Sequence, residues 1–155
     1  MKVLVVYYSR TGTTRKIANE FAGTFELVIE EIKDLVDRSG AKGYMIAGRD
    51  ATLRTLTPIG PIKNDPADFD LVIVGSPIWA WNIASPVRTY LEQNKFKFKR
   101  LAFFFTMGNN GIERALKEVG QVIGYSINAA LALTTKEVLQ NNYESKFKAF
   151  LNSLK

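Results

Sequence analysis

The sequence predicts an α/β fold, a three-layer α/β/α sandwich with a parallel sheet in the middle layer. Three observations carry this expectation. Short continuous apolar runs recur along the chain, as parallel strands buried on both faces require. Amphipathic segments with helical spacing lie between them, and that β-α repetition makes right-handed crossovers the default connection. The residues with unusual chemistry gather directly after three of the apolar runs.

Taken in order, Val3–Tyr8 is the first strand, and Ile17, Ala18, Phe21 and Ala22 form the stripe of the first helix. Phe25–Ile32 is a mixed strand whose Glu26 and Glu30 suit a sheet edge. Lys33 to Asp70 is weakly patterned. A helix from about Ala41 to Leu56 would turn Tyr44, Met45, Ala51 and Leu56 inward, against the low propensity of Gly43 and Gly48, and Thr57 to Pro61 is turn-rich. Leu71–Val74 is the third strand. Ser85-Pro86 reads as cap and first turn of a helix that buries Val87, Tyr90 and Leu91. Leu101–Phe105 is the fourth strand, followed by a stripe of Ile112, Ala115, Leu116, Val119 and Ile123. Ile127–Leu133 is the fifth. Tyr143, Phe147, Phe150, Leu151 and Leu154 mark the last helix, with Asn141 and Glu144 spaced as a capping box. At 155 residues the expectation is one domain over 1–155.

Composition removes whole classes of chemistry. There is no cysteine and no histidine, so disulfides, thiolate or imidazole catalysis and the usual zinc ligand sets are excluded. No Asp/Glu cluster has calcium-loop spacing, so no metal site is assigned, and no catalytic side chain either. Reactive atoms, if any, come from a bound cofactor. No apolar stretch approaches the roughly 20 residues that span a bilayer, and Met1-Lys2-Val3 leads directly into a strand, so a cytoplasmic location is expected. The net charge of +6 permits attraction to anionic ligands, acidic proteins or nucleic acid.

Three loops at strand ends carry the candidate site. In the first, Ser9, Arg10, Thr11, Gly12, Thr13 and Thr14 place hydroxyls and a glycine where a strand hands over to a helix. The first turn of that helix has unpaired N–H groups and a partial positive charge, which suits a phosphate. The second loop, from Gly75 to Pro86, holds both tryptophans, Trp79 and Trp81. A lone loop tryptophan usually folds onto the core; two of them beside a phosphate loop favour stacking on a planar ring. In the third, Gly108 and Gly111 flank Asn109 and Asn110, so bare backbone can approach a ligand.

These residues together resemble the flavodoxin family over essentially the whole chain. Ser9 to Thr14 matches its phosphate loop, and Gly75-Ser76-Pro77-Ile78-Trp79 with Ser85-Pro86-Val87 matches its ring-binding loop. The resemblance implies a five-stranded parallel sheet of order 2-1-3-4-5 with FMN at the switch point. It implies that Ser9, Thr11, Gly12, Thr13 and Thr14 bind the phosphate, with Arg10 adding a cation. Trp79 would stack on the ring within the stretch Pro77, Ile78, Trp79, Ala80, Trp81 and Asn82, Trp81 covering another part of it. Thr106, Met107, Gly108, Asn109 and Asn110 would meet its pyrimidine side.

Four departures from the family pattern stand out. Ala80, Trp81 and Asn82 replace the glycine that often follows the stacking aromatic, leaving Asn82 as the best left-handed candidate. The third loop lacks an outer-face tyrosine, the long-chain insertion has no room, and the protein is basic. The function implied is an FMN electron carrier between a reductase and an acceptor protein, acidic partners being suited to its charge. The same-fold rival is an NAD(P)H-dependent reductase acting on a small quinone-like substrate. From another class comes a non-redox anion- or nucleic-acid-binding module, for which Lys95-Phe96-Lys97-Phe98-Lys99-Arg100 is the candidate stretch. That stretch reads better as an exposed connection with Phe96 and Phe98 tucked inward. The remaining basic residues, Arg38, Lys42, Arg49 and Arg54 among them, look dispersed.

Overall fold

A computed structural model describes residues 1–127 and 129–155. In chain order the elements are β1 (Lys2–Tyr7), α1 (Thr13–Glu20), β2 (Glu26–Glu31), α2 (Gly40–Thr52), a 3-10 turn (Pro66–Asp68), β3 (Leu71–Trp79), β4 (Asn82–Ile83), α3 (Ser85–Asn94), β5 (Leu101–Met107), α4 (Ile112–Ile123), β6 (Ala130–Thr134), α5 (Thr135–Leu139) and α6 (Glu144–Ser153). The sheet runs β2-β1-β3-β5-β6, every neighbour parallel, and β4 folds back antiparallel on the end of β3. Setting β4 aside, this is the expected order 2-1-3-4-5; the sheet has six strands rather than five because the loop carrying both tryptophans is itself a hairpin.

Alternation along buried strands explains why the apolar runs are continuous. In β1, Leu4 and Val6 face a core completed by Val87, Tyr90, Leu91, Ala115 and Val119 of α3 and α4. Val3, Val5 and Tyr7 face the opposite core, with Ile17 of α1, Phe21 just after that helix, and Phe147 and Phe150 of α6. β5 does the same with three phenylalanines. Phe103 and Phe105 stack on one face at 5.5 Å, while Phe104 meets Phe21 on the other at 5.5 Å. β2 lies at the edge, as its glutamates suggested. Glu30 is nonetheless buried, because its carboxylate accepts from the Lys63 and Asn64 N–H groups and so ties down the irregular connection.

Several local expectations change. α2 spans Gly40–Thr52 and buries Gly43, Ala47, Asp50 and Ala51; Ala51 turns inward as expected, whereas Tyr44, Met45 and Leu56 are exposed. Its small residues let the helix lie close, since any side chain at position 43 would collide with the Arg38 backbone. Ser85 is the first helical residue, and the cap is Ala84. α6 begins at Glu144 with Tyr143 as cap and no side-chain bond, whereas Thr134 and Glu137 form a capping box on α5, a short helix the sequence did not reveal. β6 starts at Ala130 rather than Ile127, and Asn128 lies outside the described residues. Phe96 is 92% exposed instead of tucked inward; Phe98 packs beside Tyr90 at 6.2 Å. Among the described residues no helix is long and apolar enough to cross a membrane, and no cluster of His, Cys, Asp or Glu is placed to hold a metal ion.

Gly75 sets the tightest packing constraint in the sheet. It pairs with Tyr7 and Phe104 across adjacent strands, and a Cβ there would enter the Phe104 ring. Gly75→Ala is expected to cost about 1–3 kcal/mol by overpacking, read as a lower urea midpoint with unchanged slope. An unchanged midpoint would contradict this packing.

Candidate functional site

The strand order reverses between β1 and β3, and the three candidate loops meet there. After β1, Gly12 adopts φ +99° and caps α1 without a side-chain bond. Its own N–H donates to Ser9 Oγ at 3.0 Å, which curls the loop. The first helical bond is Lys16 N–H to Gly12 O at 3.0 Å. Among the described residues, the N–H groups of Thr13, Thr14 and Arg15 therefore have no acceptor, and the Thr11 and Thr13 hydroxyls have no partner. Thr14 differs: its hydroxyl is buried and pairs with Thr106 Oγ1 at 2.8 Å, joining the first loop to β5. Arg10 leans over the β2–α2 connection, donating to the carbonyls of Arg38 (2.8 Å) and Gly40 (3.0 Å).

The second loop is a two-residue hairpin. Trp79 pairs with Asn82, and the turn residues Ala80 (φ +46°) and Trp81 (φ +62°) both lie in the left-handed region. Positive φ at both central positions marks a type I′ turn, normally made by Asn-Gly or Gly-Gly. Two side-chain-bearing residues held there cost about 1–3 kcal/mol each. Asn82 is therefore not the left-handed residue; it is a buried strand residue whose amide donates to Ala80 O at 2.9 Å and braces the turn. Further support comes from α4, where the buried Glu118 accepts from Ile83 N–H at 3.1 Å and pairs with Arg88. Trp81, 55% exposed, donates its indole N–H to Asn110 Oδ1 at 2.9 Å and so fastens the hairpin to the third loop. Gly111 (φ +117°) makes that approach workable, since a Cβ would press on Ile78 and Trp81. Met107 is half-buried, and Gly108, Asn109 and Asn110 are exposed along the rim.

Trp79 stands over a charged cluster missing from the sequence reading. Its ring meets Tyr8 edge-on at 5.4 Å and 89°, and the Arg38 guanidinium lies 5.3 Å from its centroid. Arg38 is buried, not dispersed on the surface. It pairs with Asp34 and with Asp50 at 2.8 Å, and reaches the Thr57 hydroxyl at 3.3 Å. Burial opposes the Arg38 charge, but the bonds to Asp50 and Asp34 outweigh it and raise its pKa. Burial likewise pushes the Tyr8 phenol up to about 12, helped by nearby Asp34, so Tyr8 stays neutral. The only sequence cue was the Asp34–Arg38 spacing, which by itself suggests a surface pair.

A family model described as flavodoxin matches residues 2–146. The chain belongs to the flavodoxin family. A flavoprotein of Lactobacillus acidophilus NCFM, solved in complex with FMN, superposes on this flavodoxin with a TM-score of 0.71 at 25% identity, covering 90% of this chain and 97% of that one. NAD(P)H dehydrogenase (quinone) 3 of Rhizobium meliloti (strain 1021) is 27% identical over 99 residues, 59% of this chain and 43% of that protein. The chain thus spans less than half the length of the curated relative it matches. An NADPH-quinone reductase from P. pentosaceus shares the fold, with a TM-score of 0.54 at 12% identity over 99% and 97% of the two chains.

The residues of this flavodoxin fit FMN. Acceptor-free N–H groups at the α1 terminus suit the phosphate, the two indoles suit the ring, and Asn82 Oδ1 is buried without a donor beside the hairpin turn. A larger open groove of about 610 Å³ lies among Leu116, Gly120, Tyr125 and Ile127. It is at the C-terminal end of α4, the opposite sheet edge, and among the described residues no unpaired buried polar atom lines it.

The Arg38 cluster has a pH signature. Burial raises the Asp50 pKa, but hydrogen bonds from Arg38 and Arg49 outweigh it and hold the carboxyl below its ordinary 3.8. Such a group stabilises the fold fully above its unfolded value, and the contribution is lost as pH falls through the folded value. Asp50→Asn should lower stability at pH 7 yet lose less on acidification below about pH 4 than the wild type does. Chemical denaturation across pH measures this; parallel curves for the two proteins would contradict it.

Proposed function

We propose that this flavodoxin binds FMN across the β1/β3 switch point and carries electrons between a reductase and an acceptor protein. One observation carries the reading: the N–H groups of Thr13, Thr14 and Arg15 and the hydroxyls of Thr11 and Thr13, without partners among the described residues, share one sheet edge with both tryptophans of the chain. Bound FMN supplies the redox chemistry that a chain without cysteine or histidine lacks. The chain itself anchors, orients and shields. Backbone N–H groups of Thr13 to Arg15 and the hydroxyls of Thr11 and Thr13 hold the phosphate, and Ser9 fixes the loop through Gly12. Trp79 offers the stacking surface, while the hairpin tip and Asn110 border the ring. The exposed indole of Trp81 and the rim from Gly108 to Asn110 form the docking edge for redox partners, and the net charge of +6 favours acidic ones.

A second reading is an NAD(P)H-dependent reductase for a small quinone-like substrate. The quinone dehydrogenase named among the relatives favours it, as does the absence of an aromatic residue from Met107 to Gly111. Anaerobic mixing with NADPH separates the two. Slow bleaching without a reductase supports the carrier, and rapid bleaching supports the enzyme.

The anchoring itself is tested by comparing FMN with riboflavin, which lacks the phosphate. FMN should bind far more tightly, and Thr11→Ala/Thr13→Ala should weaken FMN by about tenfold or more, as loss of bonds to a charged group implies, with little effect on riboflavin. Fluorescence-quenching titration reads both constants. Equal affinity for the two ligands would overturn the proposal.

A further inference from the structure

Between β2 and α2 the chain is irregular, yet it buries an arginine in a position that serves both halves of the site. Arg38 is 4% exposed. The edge of its guanidinium is occupied by Asp34, Asp50 and Thr57, the last two at 2.8 and 3.3 Å. The Trp79 ring centroid is 5.3 Å away. Its backbone carbonyl, meanwhile, accepts from Arg10 Nε at 2.8 Å, and Arg10 belongs to the phosphate loop. Gly43 lets α2 press against the same stretch of backbone, so the residue has little freedom to move. The ionic surroundings are balanced as well: Asp50 also bonds the exposed Arg49 at 3.0 Å, giving two arginines for two carboxylates.

The choice of arginine has a physical reason. A guanidinium can bond carboxylates through its edge while keeping a flat, weakly hydrated face for an aromatic ring. A lysine ammonium in the same place could satisfy one carboxylate but would present no such face.

We infer that Arg38 is a positioning residue for the cofactor: it fixes the Trp79 indole from beneath and holds Arg10 through its carbonyl, keeping the stacking and anchoring halves in one register. The cofactor part rests on the FMN reading; the hold on Trp79 does not. Arg38→Lys tests both, because it keeps a positive charge beside Asp34 and Asp50, enough to bond one of them, and removes the planar group. Should that variant fold poorly, Arg38→Met with Asp34→Asn and Asp50→Asn removes the cluster without stranding a buried carboxylate, and takes its place in the same measurements.

The experiment labels the full chain with 5-fluorotryptophan in a Trp81→Phe background, so that only Trp79 reports. In the flavin-free protein, Arg38→Lys should shift or broaden the Trp79 fluorine resonance. FMN binding should then weaken roughly tenfold, the scale of one desolvated cation–aromatic contact. In a Trp79→Leu background the same substitution should cost about twofold or less, because its route to the ligand is gone. An unmoved resonance, or an equal loss of FMN affinity with and without Trp79, overturns the inference. A resonance that moves in a protein that takes up no FMN upholds the hold on Trp79 and removes the FMN reading instead.

Discussion

A parallel sheet buried on both faces leaves its strands no room for polar chemistry, and this constraint organises the molecule. Leu4 and Val6 point to one core and Val3 and Val5 to the other, so functional groups can stand only where the strands end. The reversal of strand order between β1 and β3, which run parallel, opens one place at that edge where two loops diverge, and the first turn of α1 points its bare amides there. The backbone alone therefore offers an anion a place to bind, before any side chain is considered. The hydroxyls of the first loop add donors without adding charge.

What surrounds that anchor is held under tension and bracing together. The Ala80–Trp81 turn sits in conformations that neither residue prefers, and three neighbours keep it there: the Asn82 amide, the Glu118 carboxylate and the Asn110 side chain. Each comes from a different element, so the hairpin is tied to α4 and to the third loop at once. Trp79, in turn, rests against Tyr8 and Arg38. A ring surface set this firmly spends its ordering entropy during folding rather than on ligand capture, the general advantage of a preorganised site.

Much of this was legible in the residues, and the limits are physical. The buried strands, the hydroxyl-rich turn after β1 and the paired tryptophans could be read because they are local patterns, whereas the strand order came with the resemblance to the flavodoxin family. Glu26 and Glu30 correctly marked an edge strand. The α2 region was misread because its packing is made by glycine and alanine, which carry no hydrophobic signal; Tyr44 and Met45 are exposed while Gly43 and Ala47 are buried. Arg38 was missed for a related reason. Its partners Asp34, Asp50 and Thr57 are brought together by the fold, and burial inverts the usual meaning of a charged residue. The left-handed turn went to Ala80 and Trp81 instead of Asn82 because the β3–β4 register, not local preference, decides which residues must turn.

The central physical claim is that the anionic end of a flavin is held by backbone amides at the start of α1, with its rings against the indoles. Amide NMR of the ¹⁵N-labelled protein, titrated with FMN, addresses it directly. The N–H signals of Thr13, Thr14 and Arg15 should move together with both indole N–H signals. Shifts confined to the groove near Gly120 and Tyr125, with the α1 terminus unmoved, would contradict it.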